Sequence, residues 1–281
     1  MKRISIKQVI LLSILCAMIV GCGGDGASRV SSNDVPTSSI YAAMEVISDI
    51  DGSIFVSTQF KHGGATSDTY IDISDSERLV ASLGKRYTDI DVGGDLFSRL
   101  SQIKQKHKEM DQVWQYWGTD YGLIYIDLPE TWYKAEFANS EVNQRVYVSF
   151  DREDQADAND SYVDLPEAFN ITTPLTGNGA LYSRSTDDIT VEWTPSGSES
   201  NVTIDVLASC ENEESDSWQL NLTSDTGAAT VPSGAISDIN GLCSYLIRVK
   251  KVNLGNFDAR FGGGGIIQGT QIRSVAVNTI E

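Results

Sequence analysis

The sequence predicts a mainly β protein made of two sandwich-like domains, with a single amphipathic helix inserted near residues 95–117. Three observations predict it. Short segments that alternate apolar and polar residues recur along the chain between clusters of Gly, Pro, Asp and Asn, the pattern of half-buried antiparallel strands. The 281 residues are 41% hydrophobic and 21% charged, an ordinary globular composition that excludes collagenous, coiled-coil and wholly disordered chains and leaves room for two modest domains. One stretch alone carries helical rather than strand periodicity.

Residues 1–21 run from a basic head (Lys2, Arg3, Lys7) through an apolar core to Gly21, which reads as a secretory signal too short to span a bilayer as a stable helix. Residues 22–38 are rich in Gly, Ser, Asp, Asn and Thr without an apolar period, and read as a flexible tether of about 20 to 25 Å as a coil. An N-terminal β-rich domain is expected over 39–173. Its first hairpin places Met44, Val46 and Ile50 on one strand and Ile54, Val56 and Phe60 on the next, all at even positions. A two-residue turn would send the two apolar sets to opposite faces. A three-residue loop, residues 50–52 with Gly52 left-handed, keeps them on one face. Further strands are expected at 69–73, 78–82, 121–127, 132–138, 145–150 and 168–172.

The helical stripe consists of Leu96, Leu100, Ile103, His107, Met110, Trp114 and Trp117, spaced alternately four and three, with Asp95 as a cap and Gly118 as a stop. Residues 174–186, with Pro174, Gly177 and Gly179, read as a hinge. A C-terminal sandwich is expected over 187–281, with strands at 189–193, 202–209, 218–222, 245–251, 257–261 and 266–277. Because Trp193 precedes both remaining cysteines, the order differs from a true immunoglobulin domain and only an immunoglobulin-like architecture is inferred.

The residues Ile19, Val20 and Gly21 before Cys22 resemble the lipobox of bacterial lipoproteins. That resemblance implies diacylglyceryl transfer to Cys22, cleavage before it and acylation of the new amino terminus, hence a membrane partner through a lipid anchor. In that family an Asp after the Cys retains the protein at the inner membrane; Gly23 here implies the outer membrane. More loosely, the run from the lipobox through Leu165-Pro166 and Pro174 to Trp193 looks like β-rich envelope lipoproteins of diderm bacteria. With Cys16 lost in the leader and Cys22 acylated, Cys210 and Cys243 are left as a pair that an oxidising compartment would bridge.

Charge and motif content exclude several activities. Lys and Arg total 21 against 39 Asp and Glu, and removal of the leader leaves 18 bases, a net charge of −21. Such an excess repels phosphate backbones, so nucleic-acid binding is excluded. HExxH, GxSxG and Walker patterns are absent, the two histidines (His62 and His107) read as structural, and no cofactor is called for. The acidic run Asp151, Glu153, Asp154, Asp157, Asn159, Asp160, Asp164 lacks the glycine of an EF-hand loop and reads as solvated. Gly262–Gly265 precedes a strand rather than a helix, which is wrong for a phosphate cradle. What stands out is an aromatic concentration from Trp114 to Tyr133, including Tyr116, Trp117 and Tyr121, beside the basic residues Arg99, Lys104, Lys106 and Lys108. Two readings stand: core aromatics where helix and sheet meet, with the bases on a solvated helix face, or a candidate docking surface for an acidic protein or a glycan. The expected function is a non-catalytic binding, adhesion or envelope-assembly module; the alternative is a hydrolase using paired carboxylates.

Overall fold

Alternation decides the first hairpin. In the computed structural model, which describes residues 28–49, 52–86, 107–115, 127–138, 144–175, 180–237 and 239–281, even positions pair with even: Val46 opposes Val56 and Ser48 opposes Ile54. Met44, Val46, Ile54, Val56 and Phe60 are all buried together. Gly52 has φ 82°, as the three-residue loop requires, and the Asp49 amide donates to the Ser53 carbonyl across the loop mouth at 2.9 Å.

The described residues are mainly strand and divide into two compact units, one of Gly26–Glu167 with Val252–Gln271, the other containing Ala168–Lys251 and Ile272–Glu281. In the first, β1 (Ser28–Ser31), β2 (Ile40–Ser48), β3 (Ile54–His62) and β4 (Thr69–Asp72) lie in one sheet in the order β1-β4-β3-β2. A second sheet contains β5 (Arg78–Leu83), β6 (His107–Glu109), β9 (Arg145–Asp151) and β10 (Ala158–Asp164), ordered β10-β9-β5-β6. Strands β7 (Asp111–Gln115) and β8 (Asp127–Phe137) extend the first sheet, β8 pairing with β3. One apolar core draws on both sheets, with Phe60 stacked on Phe150 at 5.1 Å between ring centroids.

The second unit holds β11 (Asn170–Thr173), β12 (Leu181–Ser183), β13 (Ile189–Thr194), β14 (Asn201–Cys210), β15 (Ser215–Leu222) and β16 (Ala228–Val231), with most of β17 (Cys243–Leu254) and the end of β18 (Gly265–Ile280). Strands β11, β13 and β16 form one sheet; β17, β14 and β15 are successive neighbours in the other. Its core contains Phe169, Trp193, Ile204, Val206 and Ile247. The expected hinge, residues 174–186, includes β12, which pairs in parallel with β18.

Several expectations need correction. Over residues 107–115 the helical stripe is not a helix: the segment forms β6 and β7, which pair with β5 and β8, and the amide of buried Met110 donates to the Leu79 carbonyl at 2.8 Å. Strand edges on β5 and β8 offer this segment backbone partners, with a register shift between Val113 and Gln115, and its residues Val113 and Trp114 suit strands; a spacing of three and four marks a helix only where no such edge is present. The rest of the stripe, residues 95–106 and Trp117, lies outside the described residues. Residues 28–38, read as tether, are built into the first unit through β1, two short 3-10 turns and the buried Ser32, Val35 and Thr37.

The expected strand 257–261 is a turn. Asp258 accepts from the Arg260 amide, and Phe257 stacks on Phe261 at 5.3 Å. The segment Val252–Gln271, assigned from sequence to the C-terminal domain, clusters instead with the N-terminal residues. Its glycine run shows why: a Cβ on Gly263 would stand 2.7 Å from the Ile40 carbonyl, and one on Gly265 would strike Phe257 and the Ala42 carbonyl oxygen. The run is a seam packed on the start of β2, with Gly263 donating to the Ile40 carbonyl and Gly264 accepting from Ala42. It includes a turn in which the Gly264 amide donates to the Phe261 carbonyl at 3.1 Å.

Cys210 and Cys243 form a disulfide, with Cα atoms 3.9 Å apart. It joins the end of β14 to the start of its neighbour β17 within one sheet, unlike the inter-sheet bridge of immunoglobulin domains. Closing a separation of 33 residues corresponds to about 3 to 4 kcal/mol on the chain-entropy model. Replacing both cysteines with serine is therefore expected to lower the melting temperature of the unit containing them. Calorimetry of the unreduced wild type and the double variant checks this; equal melting temperatures would contradict it.

Candidate functional site

Most of the sequence-derived candidate surface falls outside the described residues: Arg99, Lys104, Lys106, Tyr116, Trp117 and Tyr121, as does the lipidation candidate Cys22. Trp114 is a β7 residue. Lys108, on β6, holds its ammonium 5.6 Å from the centre of the Phe137 ring, so it caps the core edge. Within the same aromatic concentration Tyr133 is a core residue: its hydroxyl accepts from the Ile73 amide at 2.7 Å and donates to the Ile71 carbonyl at 3.3 Å. Burial pushes that phenol up to about 12. On the same strand, burial lowers the Lys134 ammonium to about 8.

Among the described residues, two ion pairs have side chains that are almost wholly buried. Arg152 and Glu77 are fully buried and paired at 2.8 Å. The same guanidinium donates to the Ser32 and Val35 carbonyls and the Thr37 hydroxyl, and lies 5.0 Å from the centre of the Phe150 ring. In the other unit, Lys251 donates to Asp225 at 2.7 Å and to the Pro195 carbonyl at 2.8 Å. Asp225 also accepts from Trp193 Nε1 and from the amide and hydroxyl of Ser198. Burial works to raise the Asp225 carboxyl, but the hydrogen bonds from Lys251, Ser198 and Trp193 outweigh it and hold the group at about 2. Both networks bind parts of the fold together; Arg152 meets Glu77 through Oε1, while Glu77 Oε2 is buried without a hydrogen-bond partner.

Arg184 is buried beside the disulfide, donating to the Ile239 and Gly241 carbonyls, Thr279 Oγ1 and Cys243 Sγ. The recess it lines with Tyr182, Asp187 and Tyr245 has a volume of about 10 Å³, room for about one water molecule.

A cluster of aromatic and charged side chains lies on the half-buried outer face of β9 and β10. Their strand period sends Val146, Val148 and Val163 into the core and leaves Arg145, Tyr147, Asp160, Tyr162 and Asp164 on the outer face. Tyr147 opposes Tyr162 across the two strands, with ring centroids 5.6 Å apart. Arg145 covers the Tyr162 ring at 4.2 Å and forks onto both Asp164 oxygens at 2.7 Å. That fork raises the guanidinium and holds the Asp164 carboxyl below its ordinary value. Arg86 lies 5.9 Å from the Tyr147 ring centre and pairs with Asp160 at 2.8 Å; Arg260 pairs with the other Asp160 oxygen at 2.6 Å. The result is two phenol rings framed by carboxylate–guanidinium pairs, a surface of matched donors and acceptors.

Sequence reasoning missed this face because residues 151–164 were read as an acidic loop. The available signal was the i, i+2 repeat of Arg145-Tyr147 and Asp160-Tyr162-Asp164, which places polar and aromatic groups on one side of paired strands. In the fold, Asp157 accepts from the Arg152 amide at 2.7 Å, and Asp160 and Asp164 are held by arginines.

No family model matches the chain, and no curated protein matches it. Among solved structures, the FN1–FN3 domains of chicken CNTN1 match over 92% of this chain and 70% of that one, at 9% identity and a TM-score of 0.26. The tetra-tandem repeat in the extending region of a large adhesion protein matches over 85% of this chain and 50% of that one, at 9% identity and a TM-score of 0.22. The Yersinia pseudotuberculosis adhesin InvE matches over 90% and 61%, at 10% identity and a TM-score of 0.21. Likeness at this level names neither a family nor a ligand.

Proposed function

We propose that the protein is a lipid-anchored, non-catalytic binding module of the outer membrane, and that it engages a hydroxyl-rich ligand, a glycan of the envelope, through the outer face of β9 and β10. The observation that carries the binding reading is the pair Tyr147 and Tyr162 framed by Arg145–Asp164 and Arg86–Asp160–Arg260. Sugar hydroxyls donate and accept at once, and a surface that alternates carboxylate oxygens with guanidinium N–H groups around aromatic rings meets both needs. The anchor reading is supported by Ile19-Val20-Gly21-Cys22 at the end of an apolar leader core.

Both parts are testable. Tyr147→Ala combined with Tyr162→Ala is expected to abolish retention on immobilised envelope polysaccharide while leaving the melting temperature of the core within a few degrees, since both rings are only half-buried. Retention equal to that of the wild type would reject the face. Cys22→Ala is expected to abolish incorporation of an alkyne fatty acid, and undiminished labelling would reject the anchor.

A further inference from the structure

We propose that the protein pairs with a second copy of itself along the outer edge of β15, the two strands running antiparallel about a two-fold axis at Gln219. Among the described residues β15 has one neighbour, β14. The hairpin between them fixes which main-chain groups point outward. The Cys210 amide donates to the Glu214 carbonyl at 2.9 Å, and the pairing then runs without a register shift from Ser209–Ser215 to Val202–Leu222. Hydrogen-bonded pairs alternate in an antiparallel ladder, so Asp216, Trp218, Leu220 and Leu222 turn their amides and carbonyls toward β14, and Ser215, Ser217, Gln219 and Asn221 turn theirs to the open edge. The Ser217 amide agrees with this, since it donates to Asp216 Oδ1 at 2.8 Å. All four outward residues are exposed.

Soluble proteins blunt such edges with Pro, Lys, bulges or short strands. The eight residues of β15 include no Pro, Lys or Arg and no bulge, and their one guard is Asp216 at the start. Side chains along the edge are also incompletely covered. Trp218, Leu220 and Leu222 sit opposite the buried Val206, Ile204 and Val202, yet each is only partly buried against the core. A further strand would supply main-chain partners and finish that burial together.

Charge and facing select a second copy as that strand. Glu211, Glu213, Glu214 and Asp216 crowd one end of β15, whereas residues 217–224 carry no charge. Antiparallel self-pairing lays the acidic end of each strand beside the uncharged end of the other; parallel pairing would set acid against acid. With the axis at Gln219, Ser217 meets Asn221 of the second copy and Trp218 meets its Leu220, so polar faces polar and apolar faces apolar. Gln219 and the Ser217–Asn221 pairs then exchange their outward main-chain hydrogen bonds, as an isologous contact requires. The two Asp216 carboxylates stand six residues apart along the ladder, about 20 Å, beyond the Debye length of about 10 Å at 0.1 M salt. Pairing takes the Ser217 amide from Asp216, and two chains of net charge −18 repel, so the contact strengthens as salt rises.

The test uses the full chain in detergent lysates of a diderm bacterial host, oxidised mildly with copper phenanthroline and resolved on non-reducing gels. Gln219→Cys, an exposed position opposite Asp205, is expected to convert most of the chain to covalent dimer, because the axis places each residue 219 beside its own copy. Ser217→Cys and Asn221→Cys are each expected to stay monomeric alone and to cross-link when the two variants are produced together. Adding Gln219→Pro to that pair is expected to abolish the cross-link while β14 keeps its bonds, since the amide removed points to the open edge. Dimer yield is expected to rise as salt goes from about 0.01 M to about 0.1 M. Absence of dimer from Gln219→Cys, equal yields at 217, 219 and 221, an undiminished cross-link with Gln219→Pro, or a yield that falls with salt overturns the proposal.

Discussion

Asp225→Ala is expected to destabilise the unit containing Ala168–Lys251 by about 3 to 5 kcal/mol, a large share of the 5 to 15 kcal/mol that holds a typical domain folded. The carboxylate is the ion-pair partner of Lys251, whose side chain is 1% exposed, and it also accepts from Trp193 and Ser198. Its removal leaves a buried ammonium with the Pro195 carbonyl, and an indole N–H without an acceptor. Adding Lys251→Met should recover part of the loss, because an apolar side chain needs no counter-charge. The pH dependence has a defined sign. The folded Asp225 carboxyl titrates at about 2, below its ordinary value near 4, so its contribution is complete above about pH 4 and disappears as pH falls through 2. Urea unfolding followed by circular dichroism at pH 7 and pH 2 checks both statements. A stability unchanged by Asp225→Ala at pH 7 would contradict them.

The second large effect is expected from Arg152→Ala, about 3 to 5 kcal/mol in the other unit. Glu77 would stay fully buried without its partner, and Ser32, Val35 and Thr37 would lose the guanidinium that joins them to β9. The effect should be local in character. Amide hydrogen exchange in residues 28–39 should rise before that of β2 and β3, since only a few backbone bonds hold this segment otherwise. If residues 28–39 kept wild-type protection in the variant, the latch role of Arg152 would be rejected.

How far sequence reasoning carried differs from element to element. The first hairpin was legible down to its register because two alternating apolar sets and one left-handed glycine leave a single solution. The disulfide was legible by elimination. Residues 28–38 were not, because their order comes from Arg152, more than 110 residues away, and a local composition of Ser, Asn and Thr carries no trace of that partner. The stretch 107–115 was misread because helical spacing was judged without the strand edges that claim it. The candidate binding face was half legible: the acids of β10 were noticed as a cluster, but their alternation with Ala158, Ser161 and Val163 was not read as a strand.

The measurement that tests the account most directly is the intact mass of the protein purified from the membranes of a diderm host. Anchoring through Cys22 predicts a chain of residues 22–281 carrying a diacylglyceryl group and an amide-linked acyl chain on its first residue. A mass equal to residues 1–281, or to a shorter chain with no lipid, would contradict it.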